Sequence, residues 1–76
     1  MTDKLRKLKD EAAKLVQKGN SDKALEAYRQ ILKEDPSDLT AQLKCGDILR
    51  KLDRGAEAIA CYTQVARVYA EEGLLL

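Results

Sequence analysis

A chain of 76 residues holds at most one small domain with a modest hydrophobic core, too little to enclose a deep catalytic pocket. Apolar residues (45%) and charged residues (36%) are both plentiful, Pro occurs once, and Trp and Phe are absent, a composition that excludes disorder and points to a soluble, helix-rich fold. With a net charge of +1 there is no strong field to draw nucleic acid or a membrane surface.

The first predicted helix spans Thr2 to Lys18, with Leu5, Leu8, Ala12, Leu15 and Val16 three and four residues apart on one stripe. Thr2 can cap its start, and Gly19 can take the left-handed conformation that ends it. Lys4, Arg6, Lys7 and Lys9 make its start basic, which reads as a solvated face, with a patch attracting an acidic partner as the alternative. A second stripe follows in Ala24, Leu25, Tyr28, Ile31 and Leu32, capped by Asn20 or Ser21 and stopped at Asp35 and Pro36. So short a gap makes the two helices antiparallel neighbours.

Ser37 can cap a third helix, which runs to about Leu52 with Leu39, Leu43, Gly46, Leu49 and Leu52 on or near one side. Asp53, Arg54 and Gly55 supply a turn. A fourth helix begins near Ala56 and carries Ala58, Ile59, Tyr62, Val65, Ala66 and Tyr69. It is expected to run to about Glu72.

The two halves repeat. Leu15, Ala24, Leu25, Tyr28 and Ile31 recur 34 positions later as Leu49, Ala58, Ile59, Tyr62 and Val65. A period of that length marks a helical repeat array. The likeness fails at one place, where Pro36 of the first copy corresponds to Ala70, an excellent helix former. Ala66, Tyr69 and Gly73 also echo Ala12, Leu15 and Gly19. The fourth helix therefore reads as the second half of one repeat fused to the first half of another.

The segments GNSDKALEAYRQILKEDPSD and LDRGAEAIACYTQVARVYAEE, with AQLKCGDILRKL before the second, resemble tetratricopeptide repeats. The likeness rests on Gly46, Leu49, Ala58, Tyr62 and Val65 in the second copy, and on Ala12, Leu15, Ala24, Tyr28, Ile31 and Pro36 in the first. It implies an all-α fold of antiparallel helical hairpins, with repeats at about 5–38 and 39–72, the start of a further repeat at 73–76, and an extended final helix. It also implies a protein-interaction module, an adaptor or scaffold, whose first helices line a concave groove. Carried over to this sequence, that groove is lined by Lys9, Ala13, Val16 and Gln17 from the first helix and by Leu43, Asp47, Arg50 and Lys51 from the third. Its basic and partly apolar character suits an acidic or amphipathic segment of another protein. One subclass of the family grips a C-terminal carboxylate with lysine, arginine and asparagine side chains. Lys9 matches one of these, but Ala13 and Asp47 stand where asparagines are needed, and that activity is not expected.

No catalysis is expected either. The sequence has no histidine and no glycine-rich phosphate loop, and Cys45 and Cys61 lack a partner base of the usual kind. Both cysteines lie in apolar helical patterns, as small buried side chains do. No cofactor, metal, nucleic acid or membrane partner is implied, and a cytoplasmic location is the default in the absence of a signal or spanning segment. The alternative to a partner-binding module is a self-associating scaffold, a homodimer or helix exchange. Repeat arrays are usually three or more units long and closed by a polar helix. Val65, Val68, Tyr69, Leu74, Leu75 and Leu76 are the residues expected to mediate it.

Overall fold

The computed structural model describes residues 2–73, which form four α-helices. These are α1 (Thr2–Gln17), α2 (Ser21–Glu34), α3 (Leu39–Lys51) and α4 (Gly55–Glu71). Each packs on its neighbour in sequence, α1 on α2, α2 on α3 and α3 on α4. The result is two hairpins stacked side by side.

The turns inside the hairpins are the same device used twice. After α1, Gly19 takes φ +75°, its N–H donates to the Val16 carbonyl at 3.0 Å, and Asn20 N–H donates to the Leu15 carbonyl at 2.9 Å. This pair of bonds satisfies the last carbonyls of the helix. After α3, Asp53 takes φ +61°, its N–H donates to Arg50 at 3.1 Å, and Arg54 N–H donates to Leu49 at 2.8 Å. The bonds match position for position, but only the first copy has the glycine that this conformation favours.

The start of α3 corrects the sequence reading. Asp38, not Ser37, is the N-cap, and its carboxylate accepts the Ala41 N–H at 3.0 Å. The Ser37 hydroxyl turns back and donates to the Asp35 carboxylate at 2.7 Å. Both residue types cap well, so local preference does not decide. The difference lies in α1, where the Lys9 ammonium stands 3.0 Å from the other Asp38 oxygen. Asn20 precedes α2 without making a side-chain cap bond.

The core joins all four helices. Ala12, Ala24 and Ile31 have no exposed surface, and Leu49, Cys45, Ala41 and Ala58 have 2% or less. Alanines at the crossings let helix axes approach closely, while Ile31, Leu49 and Tyr28 fill the space beside them. α3 and α4 approach closely at Gly46, where a Cβ would stand 2.8 Å from Cε1 of the Tyr62 ring. Any side chain at this position would have to push the ring aside.

Outside the core, Lys4 pairs with Glu34 at 3.2 Å, tying the start of α1 to the end of α2. Glu57 on α4 accepts from Arg54 at 2.7 Å and from Arg29 of α2 at 3.2 Å. These pairs are solvent-facing and contribute little individually. α4 is three residues longer than α2, an added turn that lies beyond the position equivalent to Glu34 and includes Ala70, where the first copy has Pro36. Glu72 caps it, and Gly73 follows at φ +71°.

Candidate functional site

α1 and α3 are the first helices of the two hairpins, and a cleft of about 250 Å³ runs along their shared face. Val16 from α1 and Lys44, Asp47, Ile48, Arg50 and Lys51 from α3 line it. Ile48 is 4% exposed and Val16 half-buried, so the floor is apolar. Three cations and one carboxylate stand along it. Asp47 is engaged within the chain, since the Tyr62 hydroxyl of α4 donates to its Oδ1. That carboxylate beside it is the main reason the Tyr62 hydroxyl titrates above its ordinary value, with burial adding to the effect.

Of the residues expected in the groove, the fold gathers Val16, Asp47, Arg50 and Lys51 in this cleft. Ala13, Gln17 and Leu43 are exposed on α1 and α3 and do not line it. Lys9 belongs to a second cavity, of about 210 Å³, together with Tyr28, Ile31, Asp38, Thr40 and Ala41. Its ammonium is already paired with Asp38, so it is not a free cation facing a ligand. Burial raises the Asp38 carboxyl. The Ala41 amide, Lys9 and the Thr40 amide together outweigh that effect and hold it below its ordinary value.

Lys44 and Ile48 were absent from the expected set. The signal was present in the sequence, because Lys44, Asp47, Ile48 and Lys51 fall at intervals of three, one and three, which is one helical face. Ile48 reads as core by type, and it is core, but its edge also floors the cleft.

The residues expected to mediate self-association are scattered. Val65 is 4% exposed and therefore buried within its own chain, so it cannot form an outer surface. Val68 is half-buried in a crevice with Pro36, Leu39, Gln42 and Gln64. Tyr69 is 38% exposed. Leu74, Leu75 and Leu76 lie outside the described residues. The large apolar side chain that does stand out is Ile59, 66% exposed, while its counterpart Leu25, 34 positions earlier, is 3% exposed.

Both thiols are free. Burial, with the neighbouring Cys61 as a smaller contribution, pushes the Cys45 thiol up to about 11, against a small opposing pull from Arg29. Burial also raises Cys61. Neither is poised as a thiolate nucleophile near neutral pH.

Stacked antiparallel hairpins with small residues at the crossings and an open cleft along their first helices define a helical repeat protein of the kind that presents a surface to other proteins. The family model for the tetratricopeptide repeat matches residues 15–74, and the chain belongs to that family. Its repeats are in general protein–protein interaction modules and typically non-catalytic. No curated protein and no solved structure matches the chain. No helix of the described residues is long and apolar enough to cross a membrane.

Proposed function

We propose that this chain is an adaptor module that binds an acidic, partly hydrophobic segment of another protein in the cleft between α1 and α3, without catalysis and in a cytoplasmic setting. The observation that carries this reading is the arrangement of Lys44, Arg50 and Lys51 around an apolar floor of Val16 and Ile48. Such a floor gives a short segment apolar area to bury, and the cations steer and orient its carboxylates. Repeat boundaries at about 5–38 and 39–72, with a further repeat beginning at 73–76, go with this reading. Each hairpin then contributes its first helix to the cleft.

The test is binding of a fluorescently labelled peptide of alternating glutamate and leucine, followed by anisotropy. The double variant Arg50→Glu with Lys51→Glu is expected to weaken binding about tenfold or more, and added salt to weaken the wild type, since these cations act through screened charge. Unchanged affinity in the double variant removes the cleft from consideration.

A second reading, self-association through α4, is favoured by one observation. Ile59 projects 66% exposed at the position where Leu25 is covered by the next helix.

A further inference from the structure

The outward side of α4 carries Gly55, Ile59, Tyr62, Ala66 and Tyr69, separated by alternating steps of four and three, and Gly73 follows just past its end. That alternation suits the seam of a two-helix coiled coil, and it spans most of the helix. The charged residues of α4 itself, Glu57, Arg67 and Glu71, all fall off it. Ile59 and Tyr69 are exposed and Tyr62 is half-buried. α1 shows what such a seam does when a helix is available. Leu5, Leu8, Ala12 and Leu15, each 54 positions before its counterpart in Ile59, Tyr62, Ala66 and Tyr69, face the core formed with α2, and Ala12 is wholly buried.

We propose that α4 pairs with α4 of a second copy of this chain, antiparallel, about a twofold axis passing near Gln64. This rests on the self-association reading and gives it a geometry. In the antiparallel register Ile59 meets the second copy's Tyr69, and Tyr62 meets the second copy's Ala66. Both pairs sum to the same residue number, 128, so one register satisfies them together and the twofold axis repeats each pair. The part of Tyr62 that its own α3 leaves uncovered is set against the small side chain of Ala66, and the glycines at either end leave room for the chains to pass. Ala56, Thr63 and Ala70 flank the seam and are small, which lets the two axes approach closely.

The alternative arrangement, α1 of one copy stacking on α4 of the next, is disfavoured by charge. On α3 the residues buried in the core shared with α2 include Ala41, Cys45 and Ile48, and their counterparts on α1 are the exposed Lys7, Glu11 and Lys14. Seating those against Ile59 and Tyr69 takes three charged side chains out of water onto an apolar surface. The seam is small. A helix of 17 residues is roughly 25 Å long, and its exposed large apolar side chains are Ile59 and Tyr69, so the dimer is weak and reversible.

Sedimentation equilibrium on the 76-residue chain, from about 10 µM to about 1 mM, tests this at the concentrations where so small an interface assembles. Wild type is expected to shift from monomer to dimer across that range. Ile59→Lys and Tyr69→Glu, both at exposed positions, are each expected to abolish the shift while leaving the helical circular dichroism unchanged. The variant carrying both is expected to recover dimerisation in low salt, because antiparallel pairing places the introduced ammonium of each copy against the introduced carboxylate of the other, twice. A parallel pair brings like charges together and does not recover. Dimers of wild type without recovery in the double variant overturn the antiparallel register and leave the self-association reading standing. Dimers that persist in both single variants place the interface elsewhere and overturn the seam. A wild type that remains monomeric throughout overturns the register and that reading alike, and leaves the α1–α3 cleft untouched.

Discussion

At the scale of single residues, Gly46 and Asp38 show how specific positions hold the hairpins together. Replacing Gly46 with alanine favours the helix backbone by about 1 kcal/mol, but overpacking against a ring 2.8 Å away costs about 1–3 kcal/mol. The second effect wins. Thermal denaturation of Gly46→Ala is expected to show a loss of about 1 kcal/mol, and adding Tyr62→Leu is expected to recover part of it. If Gly46→Ala is instead stabilising, the Tyr62 ring has moved aside at no cost. Asp38 gives a pH signature. Its carboxyl is held below the ordinary value of about 3.9 in the fold, so its contribution is present above about pH 4 and is lost as the pH falls through the lowered folded value. Asp38→Asn keeps a capping oxygen but loses the charge facing Lys9. Its deficit relative to wild type, about 1 kcal/mol or less at neutral pH, is expected to vanish below that window in urea titrations. A constant deficit down to about pH 2 would show that the charge does not matter.

Elements differ mainly in what lies beside them. α2 and α4 share the pattern of alanine, large aliphatic, tyrosine and large aliphatic, and their inner positions behave alike, with Ala24, Ile31, Ala58 and Val65 all buried. They part at Leu25 and Ile59, because α3 covers one and no described helix covers the other. The hairpins themselves were legible in the sequence, since a 34-residue period and short turn segments are local information. The choice of Asp38 over Ser37, the capture of Lys9 and the exposure of Ile59 were not, because each depends on a side chain or helix distant in sequence. Lys44 was legible and passed over, hidden beside the apolar Cys45. The two turns support an element-level prediction. Asp53 occupies the left-handed position that Gly19 fills in the first hairpin, so Asp53→Gly is expected to stabilise the chain by up to about 1 kcal/mol. Chemical denaturation showing no gain would mean that the side chain compensates in a way the backbone bonds do not reveal.

For the molecule as a whole, the order of packing matters more than the amount. α2 and α3 have a helix on each side, while α1 and α4 have one. Local opening is least costly where neighbours are fewest. Amide hydrogen exchange is therefore expected to be slowest in α2 and α3, around Ile31 and Leu49, and faster by about an order of magnitude or more in α1 and α4. Equal protection in all four helices would indicate a single cooperative unit. The cation-rich cleft spans α1 and α3, one of which belongs to the faster-exchanging pair, so a ligand seated there is expected to slow exchange in α1 most.

The neighbour-to-neighbour stacking of the helices also makes damage local. A lesion at Gly46 loosens the seam between α3 and α4 but leaves the contact of α1 with α2 intact, because no described interface closes the line of helices into a ring. A fold of this kind behaves as a ruler rather than a shell. Length can change by whole hairpins, and each addition brings one more interface without rearranging those already made.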